Sequence, residues 1–412
     1  MKDNDIRYIL NQNGKEILAI NDNLLILVAY NGKGKSDLLR KINTREYQIS
    51  SFDKDIYYLG LKESTPDNIL AKGGIVGEDS YRKYIKEHFI KDTAEMILDR
   101  TSYEKINDYS VEEIISYRRL VLLKVISLIK DKKAVLIDEP ELQAHPAVLK
   151  EIDVILKDLS AQKNPVIITT NLDNVVDDLL SNPGQIAKIE NLDKEVFVQA
   201  DMKSVQKKVR NFYHRNAYLL NRFSASNQKD QGLNNIIEKN YSAYLGSSLT
   251  DKLFDVIFSD AVILGEGASE KILFRYVDKV LHPKWIRENK VTFVSCLGKS
   301  TIPLYFVFMN ALGLKTICMF DKDKLTNPVH NAYYEAFKSY KEDNPYLFRY
   351  QLIDPSLEDK LHINPNYKLE SIEKPVNVYS HAFLTSGIQN EVAALMKEWE
   401  ELLKEMNNHE EK

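Results

Sequence analysis

Ala134–Pro146, AVLIDEPELQAHP, is the stretch that organises the reading of this chain. Apolar Ala134–Ile137 run into two adjacent carboxylates, Asp138 and Glu139, and Pro140 follows at once. A short apolar run ending in acids predicts a buried parallel strand with the acids at its carboxyl end. In nucleotide-binding α/β sheets, ligands sit at that end of the strands. There Asp138 is expected to hold Mg2+ through its water shell, and Glu139 to polarise an attacking water. A plain buried strand with an acidic turn would read the same way alone, so the neighbouring segments decide.

Upstream lies LLILVAYNGKGKSDLLRKI, residues 24–42. An apolar strand over Leu24–Val28 enters a glycine-containing loop and then a helix, the setting that a phosphate-binding loop requires. The loop residues Asn31, Gly32, Lys33 and Gly34 offer backbone N–H groups to phosphates, and the two glycines allow the close approach. Lys35 is expected to reach the β- and γ-phosphates and Ser36 to bind Mg2+, helped by the dipole of the following helix. The pattern G-x-x-x-x-G-K-[ST] has Ala29 at its first position, which a negative φ there would tolerate. Two short strands joined at Asn13-Gly14, a hairpin turn signal, precede this unit.

Composition sets broad limits. A chain of 412 residues has room for two or three domains, and 44% hydrophobic with 28% charged residues is ordinary for a globular protein. A net charge of −4 gives no global nucleic-acid signal, so any DNA contact must use local basic patches. Cys296 and Cys318 lie in apolar runs and read as core thiols of a reducing compartment. The N-terminal residues show no signal-peptide pattern, and a cytoplasmic location is expected. The most apolar window, 301–320, is interrupted by Asn310, Gly313 and Lys315 and reads as a buried helix and strand, with no membrane span.

Between the two nucleotide motifs, residues 50–108 are polar and irregular around Gly73-Gly74 and Gly77, then take helical periodicity from Tyr81 to Arg100. Residues 110–129 read as one helix, with Ser110 and Glu113 in a capping box. After Pro146 an amphipathic helix, 148–159, leads to VIITT, residues 166–170, another buried strand ending at Asn171. The connector, 201–258, interleaves Lys203, Lys207, Lys208, Arg210, His214, Arg215 and Arg222 with Phe212, Tyr213, Tyr218 and Phe223. Such a helix can track a nucleic-acid backbone, but a solvated face with inward-packed rings is the favoured reading.

Beyond it comes a second constellation. AVIL, residues 261–264, is followed by Gly265-Glu266-Gly267; Glu270 stands one helical turn further on, so both acids can face one point. A second strand, Val291–Ser295, ends in Leu297-Gly298-Lys299. A third, Thr316–Phe320, ends in Asp321-Lys322-Asp323. Asp321 and Asp323 are two apart on an extended chain and point the same way. Hard carboxylates at one sheet edge suit Mg2+ or Mn2+. A last amphipathic helix is expected over 391–406.

These motifs carry resemblances. The first half is similar to ABC/SMC-type ATPases. The signature position falls at Ile115–Arg119, where the serine is present and the glycines are not. Asn171 stands where a switch histidine is expected, and His145 sits at the D-loop position. An amide cannot take up a proton at neutral pH, so slow hydrolysis is expected, with ATP acting more as a clamp than as fuel. The strand-end pattern of Glu266, Gly298, Asp321 and Asp323 resembles the TOPRIM fold of topoisomerases, primases and nucleases. The order of the two modules resembles the OLD family (overcoming lysogenization defect). That resemblance implies an α/β chain: an ABC/SMC-like P-loop ATPase domain over 1–200, a helical connector or dimerisation region over 201–258, a Rossmann-like TOPRIM nuclease domain over 259–375, and a C-terminal helix over 376–412. It implies an ATP-gated, metal-dependent DNA endonuclease. Metal ligands would be Ser36, Asp138, Glu266, Glu270, Asp321, Asp323 and Glu358; Lys374 would steady the scissile phosphate. It further implies anti-phage defence, a homodimer or tetramer through the ATPase modules, and a regulatory partner such as a retron reverse transcriptase with its nucleic acid. The competing readings are an ATP-binding clamp with a non-catalytic TOPRIM domain, a primase or topoisomerase, and an effector held silent by a partner.

Overall fold

β1 (Tyr8–Gln12) and β2 (Lys15–Ile20) pair antiparallel through a turn in which Asn13 and Gly14 both take positive φ, 50° and 80°. That is the conformation an Asn-Gly hairpin supplies, and it fixes the register. The computed structural model describes residues 8–30, 32–50, 52, 56–60, 66–100, 112–129, 133–141, 146–162, 164–171, 182–216, 228–249, 252–322, 328–354, 356–363, 373–384 and 387–410. The chain divides into two compact units, Met1–Gln199 and Ala200–Lys412.

In the first unit, β3 (Leu24–Val28) is buried along its whole length, as a central parallel strand must be. β4 (Gln48–Ile49) adds to the hairpin in the order β2-β1-β4. The main sheet contains β5 (Ile56–Leu59), β6 (Ala134–Asp138), β7 (Val166–Thr170), β8 (Ile186–Asn191) and β9 (Val196–Gln199), in the order β5-β6-β7-β3-β8-β9. All neighbours are parallel except β8 and β9. One strand, β7, therefore separates the acidic strand from the strand that feeds the phosphate loop. The helix Lys35–Asn43 buries Leu38, Leu39 and Ile42 against Leu25, Leu27, Leu136 and Ile167. Each such fully buried side chain contributes about 1.5–3 kcal/mol. The helical region after Gly77 is two helices, Glu78–His88 and Lys91–Arg100, and the helices Glu112–Leu128 and Pro146–Ala161 pack together. Ser110, of the expected capping box, lies outside the described residues.

The second unit opens with the helix Met202–Arg215, capped by Asp201, whose carboxylate accepts from the Lys203 and Ser204 N–H groups. Phe212 and Tyr213 are buried, while Lys203, Lys207, Lys208, His214 and Arg215 face solvent. The rings thus pack inward, and Phe212 meets Phe306 and Tyr340 edge-on. Tyr218, Arg222 and Phe223 lie outside the described residues. β10 (Ala261–Gly265), β11 (Val291–Ser295), β12 (Lys315–Asp321) and β13 (Phe348–Ile353) form an all-parallel sheet in the order β11-β10-β12-β13. The helix Ile302–Ala311 and β12 bury most of the apolar window, and Cys296 and Cys318 are buried free thiols. The helix Gln389–Glu410 sets Val392, Leu395, Met396, Trp399 and Met406 into the core of this unit. Among the described residues no helix is long and apolar enough to cross a membrane.

Candidate functional site

The first unit gathers one cluster. Gly32 and Gly34 hold φ of 78° and 90°, a left-handed conformation that glycine adopts without the usual steric cost. A Cβ on Gly34 would lie 2.6 Å from Leu192 Cδ2, so this turn also needs the missing side chain. Ala29 is not among the positive-φ residues, which explains why alanine serves where the pattern has glycine. The turn delivers Lys35 to the start of its helix with the ammonium buried. Lys35 Nζ donates to the Ala29 carbonyl at 3.1 Å and to Asn171 Oδ1 at 2.5 Å, and lies 3.9 Å from Glu139 Oε1. Burial draws this ammonium below the usual lysine range, against the opposing pull of Glu139, Asp138 and Glu141. Ser36, half-buried, stands beside it in the first turn.

Opposite, Asp138 is buried at the end of β6 and accepts from the Thr169 hydroxyl at 2.6 Å. Glu139 follows at φ 45°, a costly conformation for a residue with a Cβ and one that recurs at functional sites. Its N–H donates to the Thr169 carbonyl at 3.1 Å, its carbonyl accepts from Arg119 Nη1 at 2.6 Å, and its Oε1 accepts from Asn171 Nδ2 at 2.5 Å. Sequence reading missed Glu141. It is buried, and its Oε1 accepts from the Thr170 hydroxyl at 2.7 Å and the Asn171 N–H at 2.9 Å. The signal was available: an acid two residues beyond Glu139 in a strand-end turn. Lys33 is exposed, and Asn31 and His145 lie outside the described residues.

The second unit gathers another cluster, at the carboxyl ends of β10 and β12. Chain connections leave β10 on one side for β11 and cross to the other for β12, so these two ends flank the switch point where α/β sheets bind ligands. Gly265 ends β10; a Cβ there would sit 2.6 Å from both Glu270 Cβ and Phe293 Cζ, so glycine lets the helix Ala268–Tyr276 close down on the strand. Glu266 Oε1 accepts the Asp321 N–H at 3.1 Å, which ties the two strand ends together. Asp321 Oδ1 accepts the Leu357 N–H at 2.9 Å, and Glu270 Oε2 accepts the Gly267 N–H at 2.9 Å. Glu358 Oε1 accepts from the Ser269 hydroxyl at 2.9 Å, and Lys374 Nζ lies 3.7 Å from Glu358 Oε2. Lys299, read from the sequence only as part of the turn after the second strand, lies 3.3 Å from Glu266 Oε1 and donates to the Asp321 carbonyl at 3.0 Å. Burial raises the Glu266 carboxyl to about 7, with Lys299 opposing and Glu270 adding to the rise. Burial also raises Glu270.

The donor set is hard oxygen, the chemistry that Mg2+ and Mn2+ prefer. Each carboxylate is nevertheless engaged with an N–H, a hydroxyl or an ammonium, and among the described residues no three acids converge as a ready-made metal cage. Asp323 lies outside the described residues.

A family model described as overcoming lysogenization defect protein-like, TOPRIM domain, matches residues 257–323. That span holds Glu266, Glu270, Lys299 and Asp321. The Old nuclease of Escherichia phage P2 is 26% identical over 200 residues, which is 48% of this chain and 29% of that protein. The chain thus spans less than a third of that relative's length. Two solved structures are similar to it. One is the ADP conformation of an ATP-binding cassette of an ABC transporter, at TM-score 0.26 and 17% identity over 44% of this chain and 86% of that one. The other is an ATP-binding subunit of an ABC transporter, at TM-score 0.30 and 13% identity over 44% and 85%.

Proposed function

We propose that the chain is an OLD-family protein, a P-loop ATPase-type module followed by a TOPRIM module, and that it acts as a divalent-metal-dependent DNA endonuclease gated by ATP. The observation that carries this reading is the joining of Glu266 to Asp321 at the switch point of the second sheet, with Glu270 and Glu358 supplied by adjoining helices. Glu266, Glu270, Asp321, Glu358 and, from the sequence, Asp323 would hold one or two Mg2+ or Mn2+ ions. A divalent ion bound there supplies an activated water and charge stabilisation of the leaving oxygen. The chain's own part is to orient these oxygens through the donors that hold them. Lys374, beside Glu358, offers a cation to the scissile phosphate.

The nucleotide cluster reads as the gate. The backbone N–H groups of residues 32–34 and, from the sequence, Asn31 would cradle phosphates, Lys35 would contact the terminal ones, and Ser36 with Asp138 would hold the accompanying Mg2+. Glu139, braced by Asn171, orients the attacking water, and hydrolysis is slow. Pairing of these modules predicts a homodimer or tetramer. A cytoplasmic role in anti-phage defence, with a regulatory partner such as a retron reverse transcriptase and its nucleic acid, belongs to the same proposal. A second reading, an ATP-binding clamp with a non-catalytic TOPRIM domain, draws on the internal engagement of Glu266, Glu270, Asp321 and Glu358.

Cleavage of supercoiled plasmid and single-stranded DNA in Mg2+ or Mn2+, with and without ATP, decides between them. Nicking or degradation that disappears in Asp321→Ala supports the nuclease. Intact DNA under every metal and nucleotide, in the presence of infected-cell extract as well, leaves the clamp.

A further inference from the structure

We propose that Lys299 is a positioning residue of the second cluster: a built-in counter-ion that keeps metal affinity low until substrate phosphate arrives. This rests on the reading of that cluster as a metal-dependent nuclease site. Three observations lead to it.

The first is how the chain delivers the side chain. Leu297 and Gly298 take φ of 61° and 136° in succession, and Leu297 is 75% exposed. A left-handed, solvent-facing leucine is unfavourable twice over, so the turn must be held by something else. The Thr301 hydroxyl does this by reaching the carbonyls of Cys296 and Gly298, and the Thr301 N–H donates to the Gly298 carbonyl at 3.2 Å. The result faces Leu297 outward and Lys299 inward, with the Lys299 side chain only 9% exposed.

The second is where the ammonium ends. It lies between the two strand ends, on Glu266 Oε1 and the Asp321 carbonyl, with the Phe320 ring 5.5 Å away. It therefore takes one coordination direction of an oxygen that a divalent ion would need.

The third is the charge balance. Among the described residues, four carboxylates at this edge, Glu266, Glu270, Asp321 and Glu358, face two ammonium groups, Lys299 and Lys374, so Lys299 removes one unit of the negative charge that would attract a cation. An incoming phosphate adds the negative charge that favours fuller loading. Metal binding and DNA binding are then coupled, and the site without substrate is poorly loaded.

The test is Lys299→Met, which keeps the stem and removes the charge. Mn2+ binding to the full chain is measured at pH 8.5 by titration calorimetry, with and without a phosphorothioate DNA duplex that resists cleavage. In wild type, Mn2+ alone binds weakly and the duplex tightens it. In the variant, Mn2+ alone binds about tenfold tighter, the scale of one close unit charge, and the duplex adds little. Lys299→Arg keeps the wild-type coupling. Unchanged or weaker Mn2+ binding by a folded Lys299→Met chain overturns the proposal. Where that chain does not fold, Lys299→Gln, judged by the same criterion, decides. Wild type that binds no Mn2+ and cuts no DNA removes the nuclease reading instead; wild type that cuts, with a variant showing no affinity gain, removes only the role of Lys299.

Discussion

Asn171 donates its side-chain amide to Glu139 Oε1 at 2.5 Å. Its amide oxygen accepts from Lys35 at 2.5 Å, so one residue ties the lysine that would contact phosphate to the carboxylate that would orient water. With both ends of the amide engaged, bound nucleotide must compete for Lys35 and Glu139 before any hydrolysis geometry forms. An imidazole in that place could shuttle a proton; an amide only positions.

Replacing that amide tests the point. Asn171→His is expected to raise ATP turnover several-fold, while wild type stays below about 10 s⁻¹, the median enzyme rate. Asn171→Ala should lower turnover, because it releases Glu139, and should lower KM for ATP, because Lys35 is no longer held by the amide oxygen. Phosphate release at saturating ATP, with Glu139→Gln as the blank, measures all three. A histidine variant no faster than wild type would remove the argument.

Glu141 holds Asn171 in turn, through the Asn171 N–H at 2.9 Å and the Thr170 hydroxyl at 2.7 Å. Its Oε2 is buried and has no hydrogen-bond partner among the described residues, and burial raises its carboxyl above the ordinary range. Glu141→Ala strands two donors and should cost roughly 2 kcal/mol. Glu141→Gln keeps an acceptor and drops a buried charge. Because the folded carboxyl is raised, that charge destabilises at alkaline pH, so the glutamine variant should match or exceed wild type in urea unfolding at pH 8. A glutamine variant as weak as the alanine one would contradict this.

The strands were legible where hydrophobicity alone specifies them. Leu24–Val28 and Val166–Thr170 sit at the expected residues, since an interior parallel strand covered on both faces is buried along its whole length. Edge strands carry no such pattern. Ile56–Leu59 alternates buried and half-buried residues inside a polar stretch, and Val196–Gln199 has no fully buried residue. Strand-end acids were legible because their spacing follows the strands. Lys299 was not, because it meets a partner far along the chain, Asp321, 22 residues on; Glu141 was passed over beside Glu139, its partner Asn171 lying 30 residues on. A turn that inverts a side chain, as Leu297-Gly298 does for Lys299, leaves only a weak trace in sequence.

The missing first glycine of the phosphate loop gives a prediction of no effect. Lys35 uses only the carbonyl of Ala29, which any residue supplies. Ala29→Gly should therefore leave ATP affinity within about twofold and cost about 0.5–1 kcal/mol by loosening the unfolded chain. Gly34→Ala should behave oppositely and abolish nucleotide binding, since its φ is 90° and its Cβ would strike Leu192. Fluorescent-nucleotide titration of both variants distinguishes a tolerated position from a required one.

Glu266 sets a pH dependence of stability. Its carboxyl rises from an ordinary 4.5 to about 7 in the folded chain, chiefly by burial. Between those values the folded chain holds a proton that the unfolded chain has released. Stability therefore falls as pH rises through that window, and the loss is complete above it. Glu266→Gln removes the dependence. With chelator present, the glutamine variant should be more stable than wild type at pH 8 by roughly 1–2 kcal/mol, after allowing for partial solvent screening, and about equal to it at pH 5. Added Mg2+ should narrow the gap at pH 8 by stabilising the ionised carboxylate of wild type alone. Thermal melts at the two pH values measure this. A gap of the same size at both, or a glutamine variant weaker than wild type at pH 8, would mean that Lys299 and the Asp321 N–H outweigh the burial of the charge.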